Sequence, residues 1–243
     1  VTLVERLRTA GCVFAEEEAA LLLAAPEFSE ALVARRIAGE PLEYVLGWAE
    51  FAGTRFAIAP GVFIPRHRTE FLVETAVEHA PPSPAILDVC CGTGALGLTV
   101  LAQTGGTLYA TDIDPAAVAC AVANGAEAAV GDLFAAVPAA LRGTVDVLIA
   151  NTPYVPTGEI ELLPREFRDY ELGSALDGGH DGLDLQRRVA AEASSWLRLG
   201  GRVYVEASEQ QAPQSVELFT AAGLDARTIS TEDATIVQAT RVS

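Results

Sequence analysis

Four stretches of this chain combine residue types and spacing suited to chemistry. Asp88-Val-Cys-Cys-Gly-Thr-Gly-Ala-Leu-Gly97 spaces Gly92, Gly94 and Gly97 as a dinucleotide-binding turn does. Glycines there let a ligand approach the backbone, and the amides at the start of a following helix attract negative charge. Tyr109-Ala-Thr-Asp112 ends in a carboxylate that can accept hydrogen bonds from both hydroxyls of a ribose. In Gly131-Asp-Leu-Phe134, Asp132 could receive an adenine amino group and Leu133 could cover the ring; a plain turn followed by a core pair is the competing reading. Finally, Val147-Leu-Ile-Ala-Asn-Thr-Pro-Tyr-Val-Pro156 starts as an apolar run and stops abruptly at Asn151, Pro153 and Tyr154. The glycine pattern by itself leaves a nicotinamide enzyme open.

These turns can meet only if each leaves a strand of one sheet. Ala85–Val89, Thr107–Thr111, Ala128–Val130, Val145–Ala150 and Arg202–Ala207 read as strands, with helical patterns in most gaps, notably Leu183 to Leu197. Such alternation predicts an α/β fold, a mainly parallel sheet with helices on both faces. Asp225–Ser230 and Thr235–Arg241 read as a closing pair of strands. Ahead of the sheet, residues 2–38 read as short helices punctuated by Pro26 and Gly39, and Thr54 to Ile64 alternates around Pro60-Gly61 as a hairpin would. Pro81-Pro-Ser-Pro84 marks a tight connection. The expected division is a helical segment over 1–50, a hairpin and connecting helix over 51–80, and the main domain over 81–243.

Composition narrows the classes. With 243 residues and 50% hydrophobic content the chain can bury a substantial core. Its net charge of −17 repels nucleic-acid backbones, so direct nucleic-acid binding is not expected, and a small molecule or a protein with a basic face suits it better. Cys12, Cys90, Cys91 and Cys120 show neither zinc-ligand spacing nor a disulfide framework, and the three histidines are scattered. No metal site is expected. The acidic opening stretch lacks a signal-peptide profile and no apolar run approaches the roughly 20 residues of a membrane span. A cytoplasmic location is therefore expected.

Read together, the Asp-x-x-x-Gly-x-Gly turn, Asp112, Gly131-Asp132 and Leu199-Gly-Gly-Arg-Val-Tyr-Val205 resemble a class I S-adenosylmethionine-dependent methyltransferase. Asn151-Thr-Pro-Tyr154 is similar to the Asn-Pro-Pro-Tyr motif of enzymes that methylate planar nitrogens. Pro41-Leu-Glu-Tyr-Val-Leu-Gly47, Phe63-Ile-Pro-Arg-His-Arg-Thr-Glu70 and Ser174-Ala-Leu-Asp-Gly-Gly-His-Asp-Gly-Leu183 resemble stretches of the protein-(glutamine-N5) methyltransferases that modify peptide-chain release factors. The likeness runs over roughly residues 40 to 240.

That resemblance implies a Rossmann-like seven-stranded sheet, S-adenosyl-L-methionine as cofactor and a release factor as protein substrate. It implies that Cys90, Cys91, Gly92, Thr93 and Gly94 line the methionine end of the cofactor, beside Asn151, with Asp112 at the ribose and Asp132 and Leu133 at the adenine. Asp88 would orient the glycine turn, hold the cofactor's ammonium through water, or simply cap the following helix. Asn151 and the Thr152 carbonyl would accept the two hydrogens of an amide, Pro153 would restrain the backbone, and Tyr154 would wall the pocket.

Departures from the family pattern are equally visible. Thr152 stands for a proline, Cys90-Cys91 for Gly-Thr, His67-Arg68 for Pro-Asp and Leu172 for a proline, and the helical head ahead of the hairpin is short. Adjacent cysteines cannot bond to each other without strain, and small buried cysteine is a common packing residue, so redox chemistry is not expected. The alternatives are an adenine-N6 or other planar-nitrogen methyltransferase, a small-molecule or ribosomal-protein amide as acceptor, and a module that binds the cofactor without turnover.

Overall fold

The computed structural model describes residues 1–243. Its first helices are α1 (Leu3–Thr9), α2 (Ala15–Ala24), α3 (Glu30–Ile37) and α4 (Leu42–Leu46). Thr2 and Glu5 form a reciprocal cap on α1. Leu7, Ala15, Ala19, Leu22 and Val45 close a small core, and Arg36 donates to buried Glu18 at 2.6 and 3.1 Å. Helix α4 lies in the Pro41–Gly47 stretch and was not anticipated from periodicity, because five residues are too few to show a period.

The hairpin differs from expectation. Its strands are β1 (Trp48–Phe51) and β2 (Thr54–Ala57), paired Trp48↔Ala57 through Phe51↔Thr54. Ala52 and Gly53 both adopt positive φ, the two-residue turn whose twist matches a hairpin. The turn expected at Pro60-Gly61 is not that of the hairpin: Ile58 before it and Val62 and Ile64 after it pack as irregular chain against Tyr44, Ala117 and Cys120. Tyr44 secures that path by donating its hydroxyl to the Val62 carbonyl at 2.6 Å.

Helix α5 (Glu70–His79) leads to the main sheet, followed by β3 (Ala85–Val89), α6 (Ala95–Thr104), β4 (Thr107–Asp112), α7 (Pro115–Ala123), β5 (Glu127–Val130), β6 (Val145–Ala150), α8 (Arg165–Arg168), α9 (Asp184–Trp196), β7 (Leu197–Glu206), α10 (Ala212–Ala221), β8 (Leu224–Ser230) and β9 (Thr235–Arg241). The order across the sheet is β5-β4-β3-β6-β7-β9-β8, parallel except where β9 runs against β7 and β8. Strand β7 starts earlier than the sequence predicts, because Leu197 pairs with Val145 before a register shift around Gly200-Gly201. Side chains such as Leu148, Trp196 and Phe219 fill one face, and Leu72, Ile149 and Tyr204 belong to the core on the other.

Chain order reverses between β3 and β6, the crevice where open α/β sheets bind ligands. Val89 and Ala150 are register partners there, so Cys90 and Asn151 leave the sheet side by side. Val89 also pairs with Thr111 and Ile149 with Tyr204, which sets Asp112 on one flank and Glu206 on the other.

Candidate active site

A cavity of about 860 Å³ opens over these strand ends, lined by the turns after β3, β4, β5 and β6. Its volume lies within the usual range of ligand pockets. At the end of β4, Asp112 accepts from the amide of Gly92 in the turn after β3 and from that of Asp114, both at 2.9 Å. A carboxylate has about four acceptor positions, so two remain for hydroxyls of a ligand. Burial pushes the Asp112 carboxyl upward, with the two amides pulling against it. Asp88 is only 1% exposed and accepts from the amide of Gly97, in the first turn of α6, at 2.9 Å. Burial pushes its carboxyl up to about 7. A Cβ at position 97 would sit 2.8 Å from that carboxylate, which explains the third glycine of the pattern.

Cys90 holds φ +58°, a conformation costly for any residue with a Cβ, at the position where the resembling family has glycine. Burial pushes both the Cys90 and Cys91 thiols far upward, which removes the thiolate that redox or nucleophilic chemistry needs. Leu133 also carries a positive φ and is buried against the cavity, while Asp132 pairs with Arg188 of α9 at 2.8 Å.

The other side of the cavity begins at Asn151. Its Oδ1 is shielded from solvent and no donor in the protein reaches it, and the Thr152 hydroxyl is likewise unpartnered. A buried acceptor left bare is costly, and because Asn151 and Thr152 line the cavity, a ligand's donor there would relieve that cost. The Thr152 amide bonds the Ala150 carbonyl at 2.9 Å, a tight turn that carries the chain off the sheet. Beyond Tyr154 the chain folds back over the opening: Val155 donates to Leu176 at 3.1 Å and Gly178 to Val155 at 2.9 Å. Arg66 holds this cover down, donating to both oxygens of Glu171 at 2.6 and 2.7 Å while stacking over Phe167 at 3.9 Å.

Every site residue expected from the sequence lines this cavity except Gly94. Gly94 sits behind the turn at φ +75°, packed on Ala121, and shapes the loop. The sequence reading missed the groups around Tyr154. Its hydroxyl donates to Glu206 at 2.8 Å and accepts from Arg68, and its carbonyl accepts from Gln211 at 2.9 Å. Burial pushes the Tyr154 phenol well above its ordinary range. No sequence spacing links positions 68, 154 and 206; the register of β6 and β7 brings the exits of those two strands together, and Arg68 reaches them from the turn just before α5. No cluster of His, Cys, Asp and Glu is arranged to hold a metal ion, and no helix is long and apolar enough to cross a membrane.

A sheet of this order, with a glycine turn, a ribose-type carboxylate and an exposed motif at the strand reversal, defines a class I methyltransferase fold. The family model "Methyltransferase small domain" matches residues 53–163, and a methyltransferase structure from Pyrococcus furiosus superposes with a TM-score of 0.59, at 14% identity over 88% of this chain and all of that one (100%). The release factor glutamine methyltransferase of Geobacter sulfurreducens is 38% identical over 79% of this chain and 69% of its own length. That of Mycolicibacterium smegmatis is 41% identical over 79% and 70%. The chain belongs to the release factor glutamine methyltransferase family.

Proposed function

We propose that this protein, acting in the cytoplasm, methylates the side-chain nitrogen N5 of a glutamine in a peptide-chain release factor, with S-adenosyl-L-methionine as cofactor. The observation that carries the reading is the bare Asn151 acceptor at the β6 exit, beside the glycine turn. The cofactor-binding role falls to the turn from Cys90 to Gly94, to Asp112 for the ribose, and to Asp132 and Leu133 for the adenine. When bound, that cofactor supplies a methyl carbon activated by its sulfonium. We keep the division into residues 1–50, 51–80 and 81–243 as part of this proposal, the last carrying the cofactor site.

An amide nitrogen is a weak nucleophile because its lone pair is delocalised into the carbonyl. The protein's contribution is therefore position. Asn151 Oδ1 accepts one amide hydrogen, the Thr152 carbonyl accepts the other, and Tyr154 packs on the flat group. The nitrogen becomes more acidic as the methyl arrives, so its surplus proton passes to water without a base of tuned pKa, and fixed acceptor dipoles do the stabilising. The family membership and the −17 charge both favour a protein over a nucleic acid as acceptor.

The test incubates the protein with labelled S-adenosyl-L-methionine and, in parallel, a purified release factor, a DNA duplex and a cell extract. Label on a release-factor glutamine is expected; label on adenine, or cofactor binding with no transfer, would overturn the reading. Asn151→Ala should lower transfer by roughly a hundredfold or more while calorimetry finds most of the cofactor affinity intact. Equal activity in that variant would remove Asn151 from the mechanism.

A further inference from the structure

We propose that Arg68 and Glu206 are positioning residues that fix the ring of Tyr154, and through it the wall against which the acceptor amide packs. This inference rests on the reading of the Asn151–Tyr154 turn as the acceptor site. It deepens that reading by assigning two residues distant in sequence.

Glu206 is the last residue of β7, and its side chain is 6% exposed. Three groups donate to that carboxylate. Tyr154 donates its hydroxyl to Oε1 at 2.8 Å, Arg68 Nε donates to the same oxygen at 2.9 Å, and the Thr69 hydroxyl donates to Oε2 at 2.5 Å. Arg68 also donates to the Tyr154 hydroxyl, with its guanidinium carbon 5.9 Å from the ring centroid. The base of the set is rigid as well. Gln186 donates to the Glu206 carbonyl at 2.9 Å and is itself fixed by Ser215 at 2.6 Å.

The consequence is a ring that cannot tilt without breaking two charged hydrogen bonds. One planar guanidinium spans phenol and carboxylate together; an ammonium is a point charge and reaches only one of them well. Without Arg68, a largely buried carboxylate keeps only neutral donors and pulls the phenol toward itself. Tyr154 sits three residues beyond Asn151, so any shift of the ring moves the acceptor wall directly.

The experiment compares the parent chain with Arg68→Met, Arg68→Lys, Tyr154→Phe and the double variant Arg68→Met/Tyr154→Phe. Tyrosine carrying ¹³C at Cζ gives five NMR signals, one per tyrosine, and the one lost in Tyr154→Phe is Tyr154. Arg68→Met should displace that signal, and Arg68→Lys should leave it displaced although the charge is kept. With release factor as substrate, Arg68→Met should lower kcat/KM roughly tenfold, with cofactor Kd unchanged within about twofold. The double variant should be no worse than Tyr154→Phe, since both changes remove one unit. An unmoved Tyr154 signal, or losses that multiply in the double variant, would overturn the assignment. Should Arg68→Met fail to fold, Arg68→Lys carries the same NMR and kinetic comparison. Because the NMR arm reads the ring without turnover, a wild-type chain that transfers no methyl would sink the proposed reaction alone.

Discussion

The two halves of the cavity are built in different ways. On the β3–β4–β5 side, each strand ends in its own turn, and contacts such as Gly92 to Asp112 and Gly97 to Asp88 join residues no more than 20 positions apart. Across the cavity, Arg66 meets Glu171 at a separation of 105 and Arg68 meets Glu206 at 138. The first half is thus nearly complete once neighbouring strands pair, whereas the second exists only when the hairpin segment, the β6 exit and the end of β7 are all in place. A cofactor half built locally and an acceptor half built from long-range ion pairs should respond differently to substitution.

The largest effect should follow Arg66→Ala. Glu171 has no exposed side-chain surface, so losing its cation leaves a buried carboxylate with the Ile64 amide at 3.2 Å as its remaining donor. Breaking one side of a buried pair costs about 3–5 kcal/mol, and the stacking over Phe167 goes with it. Urea denaturation checks the size of the loss, and calorimetry should find cofactor binding little changed. A stability loss under about 1 kcal/mol would mean that the cover over the cavity is held by its backbone bonds instead.

The next effect, confined to the cofactor half and spread over a range of pH, concerns Asp88. The Asp88 carboxyl titrates near 7 in the folded chain against an ordinary value of 3.8, because burial opposes its charge. Between about pH 4 and 7 the folded state therefore holds a proton that the unfolded state has released. Stability is greatest below this window for this group and is lost as pH rises through it, at about 1.4 kcal/mol per pH unit. Asp88→Asn keeps an acceptor for the Gly97 amide and abolishes the titration. Its advantage over the parent should grow from pH 4.5 to 7.5 in urea melts, and a constant difference would show that Asp88 stays ionised throughout.

The same contrast explains what the sequence discloses. Ala85–Val89 and Val145–Ala150 were readable because buried strands are runs of apolar residues, and Asp88 and Asp112 because each ends or interrupts such a run. The hairpin was misplaced because Ile58, Val62 and Ile64 are buried by Tyr44 and α7 without forming a ladder; alternation reports burial, not pairing. Gly94 is legible as part of the cofactor turn, but its need for a positive backbone angle and for close packing on Ala121 is set by the fold. Arg68 registered only as a departure from a family pattern, since its partners lie 86 and 138 positions away. No local signal can announce such a contact.

Thr152→Pro should have the smallest effect, and it probes the seam between the halves. Proline would remove the amide that bonds the Ala150 carbonyl at 2.9 Å, a loss of about 1 kcal/mol. Against this, it deletes a hydroxyl buried without a partner and narrows the unfolded chain, gains of similar size. It also biases Asn151 toward extended backbone, the direction in which β6 already carries it. The carbonyl at position 152 survives, so methyl transfer should be kept or modestly raised, with stability within about 1 kcal/mol of the parent. Complete loss of transfer in a folded Thr152→Pro chain would mean that the turn, through its amide bond to Ala150, sets the Asn151 acceptor, and that the acceptor half depends on local backbone as much as on its distant ion pairs.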